Sequence, residues 1–267
     1  MTPSDTTPIF AALLSMAVGH DLLLASDAPA RTETATLALC TCLEQAYPDS
    51  IRKVVTSGSV PQYILMKDGT RIIWDDGLSK GFEEKLAAPD FEDTLSIPYP
   101  RGAASTPSKN EDPGRIRSEP FLRAAFGRNE KAVKNNLVPV EWSPSKRRIR
   151  FNKQNGAAAS LARVAKALAR RGGRYAGYLS PIGGTFKWRR IAGAERLSAH
   201  SFGIAIDINV SKSRYWRWTP KFETAVFKRQ TPAAIVEAFE QNRFVWGGKW
   251  YHFDTMHFEY RPELFCR

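Results

Sequence analysis

Apolar positions recur at two different periods in the second half of the chain, and together they predict both helices and strands. Gly156–Arg171 sets Leu161, Val164, Ala165 and Leu168 on one face and Arg163, Lys166 and Arg170 towards water, so it predicts an amphipathic helix. Gly172-Gly173 ends it. A second helix is expected from Thr231-Pro232, a capping residue followed by a first-turn proline, to about Asn242, burying Ile235, Ala238 and Phe239. Between the two, Ile204–Val210 alternates. Ile204, Ile206, Ile208 and Val210 point one way, and Ala205, Asp207 and Asn209 the other, as in a strand. Arg243–Trp246 predicts a further strand, Gly247-Gly248 a turn, and Trp250–Tyr260 a returning segment.

The first half is patterned more weakly. Ala35–Tyr47 and Gly81–Ala88 have helical character, and so has Ser118–Gly127, where Pro120 falls in the first turn. Tyr63–Met66 and Arg71–Trp74 flank Lys67-Asp68-Gly69-Thr70, whose Asp-Gly pair suits a tight hairpin. Pro98–Arg115 is rich in Pro, Gly, Ser and charge, as a long surface loop or linker is. The expected organisation is α+β: an N-terminal accessory α+β region over 1–97, a linker and short helix over 98–128, and a principal unit over 129–267. In that last unit helices flank a small antiparallel sheet.

Composition narrows the class of protein. At 267 residues with 43% hydrophobic residues, the chain can bury a sizeable core and is not of disordered type. A formal net charge of +12 favours polyanionic surroundings: nucleic acid, anionic lipid or acidic envelope polymers. The basic residues are scattered over loops and helix faces and form no recognition motif, which ranks nucleic acid low. The densest run, Lys146–Arg150, reads as a solvated strand or loop. No stretch approaches the roughly 20 apolar residues of a membrane span. Residues 1–26 are either a secretory signal segment, from the apolar run Ile9–Val18, or a first helix packed on the domain. Cys40, Cys42 and Cys266 are an odd set in which the first two are too close to bridge usefully, so they read as incidental.

The chemistry gathers near the C-terminus. His200 and Asp207 lie in Ser198-Ala199-His200-Ser201-Phe202-Gly203-Ile204-Ala205-Ile206-Asp207, and His257 in Asp254-Thr255-Met256-His257. Two imidazoles and a carboxylate can hold Zn²⁺ on three sides and leave the fourth for water, the arrangement of a catalytic zinc. Asp207 falls in an apolar strand, where a carboxylate is costly unless paired or bound to a cation. Gly203 lets the backbone bend so that His200 and Asp207 converge, and Asp254 is a spare carboxylate able to take a proton from the water. His252 is expected to have a supporting or packing role, and His20 falls in the N-terminal segment.

The pattern Ser198-x-His200-x-x-Gly203-x-Ala205-x-Asp207, then Asp254-x-x-His257, resembles the zinc D-alanyl-D-alanine carboxypeptidases and L-alanyl-D-glutamate endopeptidases of bacterial cell walls. The wider group includes lysostaphin-type peptidases and the hedgehog signalling domain. The resemblance runs from roughly Gly156 to Leu264. It implies His200, Asp207 and His257 as zinc ligands and Asp254 as catalytic base. It also implies an upstream arginine that contacts substrate and oxyanion, carried here to Arg189 with the adjacent Arg190 as the alternative, and Ser198 as a further substrate contact. An Asp at the base position tilts towards the endopeptidase branch, since the carboxypeptidase branch usually has Glu. The loops Tyr175–Gly184, Tyr215–Trp218 and Trp246–Tyr251 either line a peptide cleft or pack a sheet edge. The resemblance thus implies a monomeric zinc peptidase of the cell envelope, periplasm or extracellular space, acting on peptidoglycan stem peptides. Its alternative is a non-catalytic zinc module that binds the wall.

Overall fold

The computed structural model describes residues 27–102, 106–223 and 231–266, with side chains from 33 onward. The readings made on residues 1–26, His20 included, lie outside these. The chain order is α1 (Asp27–Ala46), β1 (Ile51–Ser57), β2 (Val60–Met66), β3 (Arg71–Ile73), α2 (Phe82–Ala87), α3 (Phe91–Leu95), α4 (Glu119–Phe126) and α5 (Glu130–Asn136). There follow β4 (Leu137–Trp142), β5 (Arg147–Asn152), α6 (Ala157–Ala169), α7 (Ala176–Leu179), β6 (Ala205–Asp207), α8 (Ala233–Glu240), β7 (Phe244–Trp246) and β8 (His257–Tyr260).

The fold is mixed α+β with small antiparallel sheets. β1-β2-β3 form a meander, β4-β5 a hairpin, and β6-β8-β7 a sheet with β8 in the centre. The Asp-Gly turn joins β2 to β3, and Gly69 takes the left-handed conformation such a turn needs. Lys146–Arg150 enters the solvated edge of β5, where Arg147, Arg148 and Arg150 are exposed and Ile149 and Phe151 are buried. Leu161, Val164, Ala165 and Leu168 of α6 are buried, while Arg163 and Arg170 face water.

Two expectations about secondary structure need correction. The strand at 204–210 is only three residues long. Asn209 leaves the sheet because its side chain donates to the Gly177 and Ser180 carbonyls and accepts from Ser211 N, and Val210 is then exposed. At 231–232 the helix starts a residue later: Pro232 is the N-cap and Thr231 donates instead to the Thr255 carbonyl.

One cluster of buried apolar residues runs from Cys40 through α1, β1, β2 and α4 to α6, α8 and the β6-β8-β7 sheet. N-terminal and C-terminal elements share it. Tyr47 hydrogen-bonds Glu263, and Tyr260 donates to the Asn155 carbonyl. The cysteines are not incidental: Cys42 and Cys266 are bridged, with Cα atoms 5.4 Å apart, and Cys40 is the buried free thiol. Their separation of 224 residues hid the pairing, which exists only because α1 docks against the C-terminal turn. A bridge closing so long a loop restricts the unfolded chain strongly. Cys42→Ser is therefore expected to lower stability by about 2–5 kcal/mol, read from denaturant unfolding. An unchanged midpoint would show that the bridge adds nothing.

Pro98–Arg115 has no regular structure over its described residues, as its composition predicts, yet it is packed rather than loose. Tyr99 and Asp112 are buried, Lys249 donates to the Pro100 and Gly102 carbonyls, and Trp250 Nε1 donates to the Pro113 carbonyl. Gly114 has φ +92, and a Cβ there would come within 2.8 Å of Leu264. This strap runs across the β6-β8-β7 sheet and, with the residues just after it, delivers Asp112, Arg115 and Arg117 beside the C-terminal motif.

Candidate metal centre and active site

Sheet register does the first part of the assembly. Asp207 on β6 is directly opposite His257 on β8, and Ala205 is opposite Glu259. Side chains two apart on a strand share a face, so His257 and Glu259 project together with Asp207. Ala205 leaves the room that Glu259 fills. Ile206 and Phe258 turn to the other face, where both are fully buried.

His200 comes from outside the sheet, on a single helical turn spanning Ala199–Phe202. Ser198 opens that turn, its Oγ accepting from His200 N at 3.4 Å, and Gly203 closes it at φ +65. Only glycine suits that position, since a Cβ would sit 2.5 Å from Leu137 Cδ2. The segment at 183–185 lies along the free side of β6, with Gly183 N donating to the Asp207 carbonyl and Asp207 N to the Gly184 carbonyl. It also brings the Thr185 carbonyl 3.1 Å from His200 Nδ1.

Three donor atoms converge as a result. His200 Nε2 is 3.2 Å from Asp207 Oδ1 and 3.2 Å from His257 Nδ1, and His257 Nδ1 is 2.8 Å from Asp207 Oδ1. Bonds of about 2.0–2.1 Å to a tetrahedral zinc set its ligands about 3.3 Å apart, so the triangle has the size of one face of such a site. The donor set fits the ion chemically as well. Each histidine has its other nitrogen engaged, Nδ1 of His200 on Thr185 and Nε2 of His257 on Glu259 at 2.6 Å, which fixes the tautomer that presents a lone pair to a metal. Burial works against charge at His257, but its bonds to Asp207 and Glu259 outweigh that and raise its pKa to about 10. Burial also opposes ionisation of Asp207, yet His200 and His257 hold its carboxyl well below the usual carboxylate range. Two carboxylates that favour a proton here favour a dication too, and metal binding must release that proton.

Glu259 is the residue the sequence reading missed. It is fully buried and pairs through both oxygens with Arg117 from the strap, with Arg261 Nη1 3.4 Å from one of them. Burial raises a carboxyl's pKa, but Arg117 and His257 hold Glu259 well below the ordinary value. An acidic residue two places after a strand histidine was a usable signal. Arg117, 142 residues away, was not.

Asp254 sits on the loop before β8. Its backbone N donates to the Gly247 carbonyl at 3.0 Å, its neighbour Thr255 exchanges hydrogen bonds with Arg214, and Tyr215 bridges to it in antiparallel fashion. Gly247 must be glycine for this approach, since a Cβ would lie 2.6 Å from the Asp254 carbonyl oxygen. Asp254 Oδ1 is buried and has no hydrogen-bond partner. Burial above all, with repulsion from Asp207 and Glu259, raises its pKa to about 7 against the pull of His257.

These groups line one cleft, together with Ser198, Arg189, Tyr215 and Trp216. Arg189 is exposed in the cleft wall, whereas Arg190 turns to an ion pair with Glu195. His252 also lines the cleft but is not among the converging donors. Its N and Nδ1 engage both oxygens of Asp112, and its ring stacks on Phe82 and meets Trp216 edge-on.

Two histidines and an aspartate beside a spare buried carboxylate, on a small antiparallel sheet, form a candidate metal site. Residues 192–260 match the family described as D-alanyl-D-alanine carboxypeptidase, a segment that holds Asp254 and all three donors, His200, Asp207 and His257. The matched segment is roughly a quarter of the chain and is what the chain shares with that family. No curated protein and no solved structure matches the chain.

Proposed function

We propose that the chain is a zinc peptidase that hydrolyses a peptide bond in the stem peptides of peptidoglycan, of D-Ala-D-Ala carboxypeptidase or L-Ala-D-Glu endopeptidase type. The observation that carries this reading is the partnerless oxygen of Asp254 beside the donor triangle of His200, Asp207 and His257. A zinc ion held by those three side chains would acidify a water to near neutral pH and polarise the scissile carbonyl. Asp254 Oδ1, the oxygen without a hydrogen-bond partner, would take the proton from the attacking water and return it to the leaving amine. Arg189, in the cleft wall, supplies a guanidinium to the substrate and its developing oxyanion. Ser198 stands by as a polar contact while capping the turn that carries His200. A purely binding module would have no use for an unsatisfied buried carboxylate, which favours catalysis over wall binding alone.

The family match supports the peptide substrate. The Cys42–Cys266 bridge supports an oxidising compartment such as the periplasm or the outside of the cell, since disulfides are rare in reducing cytosol. Purified sacculi incubated with the zinc-loaded protein are expected to yield new amino and carboxyl termini by mass spectrometry, abolished by a chelator and restored by zinc. Intact muropeptides after saturating incubation would refute the reading.

A further inference from the structure

The cleft has more positive charge than its own carboxylates absorb. Arg115, Arg117, Arg189 and Arg196 all line it. Arg115 is engaged by Asp112 at 2.7 Å, and Arg117 by both oxygens of Glu259. Arg261, behind them, is engaged by Glu263. Arg196 is different. It is half-buried, its Nη1 donates to the Arg115 carbonyl at 2.8 Å, and no carboxylate among the described residues pairs with it. Burial and repulsion from Arg117 and Arg115 work against its charge, and Glu259 and Asp112 favour it without a hydrogen bond to it.

A guanidinium removed from water without a counter-ion is costly, and it stays charged at neutral pH, so it cannot escape by losing its proton. The cost is repaid when an anion enters. The backbone bond to Arg115 fixes the head group, leaving the rest of a planar donor fork that matches a carboxylate. Leu197, which follows Arg196, has its N–H held by Glu119 at 2.8 Å, and Ser198 begins the turn carrying His200. The fork is therefore tied by a short, hydrogen-bonded stretch of backbone to one of the metal donors.

We propose that Arg196 is a specificity residue that docks a free carboxylate of the substrate, so that the cleft selects peptides bearing a carboxylate next to the scissile bond. This rests on the peptidase reading above and adds to it the substrate feature that is recognised. Arg189, exposed in the wall, remains available to the reacting carbonyl, so the two arginines serve different groups.

The test pairs synthetic peptides that differ only in that carboxylate: diacetyl-L-Lys-D-Ala-D-Ala against its C-terminal amide, and an L-Ala-γ-D-Glu peptide against its α-amide. For the zinc-loaded wild type, kcat/KM is expected to favour the acid of at least one pair by about tenfold to a hundredfold, the range of a charge-assisted hydrogen bond, chiefly through KM. Arg196→Gln should bring that ratio close to one, and Arg196→Lys should restore part of it. Calorimetry of the same peptides with Asp254→Asn, with and without Arg196→Gln, reads binding apart from turnover. Thermal unfolding separates a recognition role from a structural one. Removing an uncompensated charge should leave the melting temperature of Arg196→Gln unchanged or raised, and a marked fall would overturn the assignment. Equal hydrolysis of acid and amide by the wild type would also overturn it while leaving the peptidase reading intact. Binding of the acid that depends on Arg196, with no hydrolysis of either peptide, would sustain the anion site and sink the peptidase reading.

Discussion

Asp254→Ala is expected to keep its zinc and lose hydrolysis by about 10²–10⁴-fold, whereas His257→Ala loses both. Asp254 is absent from the converging triangle, so removing it leaves His200, Asp207 and His257 to hold the ion. What disappears is Oδ1, a buried oxygen with no hydrogen-bond partner. His257 in contrast contributes a donor atom and anchors both Asp207 and Glu259. Metal content by elemental analysis, read beside turnover, distinguishes the two losses. An Asp254→Ala protein with full activity would show that the base lies elsewhere. In the wild type the same carboxyl is expected to set the acid limb of the pH profile. A base must be deprotonated, so activity should fall as pH drops through the point where Asp254 gains its proton. Burial places that point near 7 before a dication draws it lower.

The second large effect concerns a residue that touches no substrate. Glu259→Gln is expected to destabilise the fold by about 3–5 kcal/mol, because Arg117 is left buried without its carboxylate. It should also weaken zinc binding by about 10–100-fold, since the hydrogen bond that orients His257 changes character. Urea unfolding of the metal-free protein measures the first effect and competitive zinc titration the second. The double variant Glu259→Leu with Arg117→Met separates them. Removing both charges should recover much of the stability and none of the metal affinity. Retained zinc affinity in that variant would show that Glu259 does not orient His257. The linkage to pH has a definite sign. Glu259 is held below its ordinary value of about 4.5, so the stability it contributes is present above that pH and is lost as pH falls towards its folded pKa.

The two predictions differ in how far they were visible from the residues alone. Asp254 belongs to a short motif whose spacing, Asp254-x-x-His257, is itself the signal. The network under it is not local. Arg117 arrives on a strap whose Pro, Gly and charge content reads as a loop, and composition says nothing about what a loop packs against. Cys42 and Cys266 show the same limit, because an odd count and a span of 224 residues give no reason to join them. The strand at 204–210 fails for a different reason. Alternation persists through Ile208 and Val210, but the Asn209 side chain finds backbone carbonyls on the neighbouring segment and takes the chain out of the sheet.

Chain order and side-chain chemistry were enough to fix the fold class: α6, α8 and the hairpin of β2 and β3 follow from local periodicity and turn residues. The donor set of His200, Asp207 and His257 follows from a motif confined to the last third of the chain. Tertiary structure alone decided that β8 lies between β6 and β7, which sets His257 opposite Asp207 and turns Glu259 to the same face. It alone decided that Arg117 pairs with Glu259 and that Arg196 has no carboxylate partner among the described residues. The division has one physical cause. Periodicity and capping act between residues a few positions apart, whereas burial, ion pairing and a cystine link join groups that only the closed fold brings within reach.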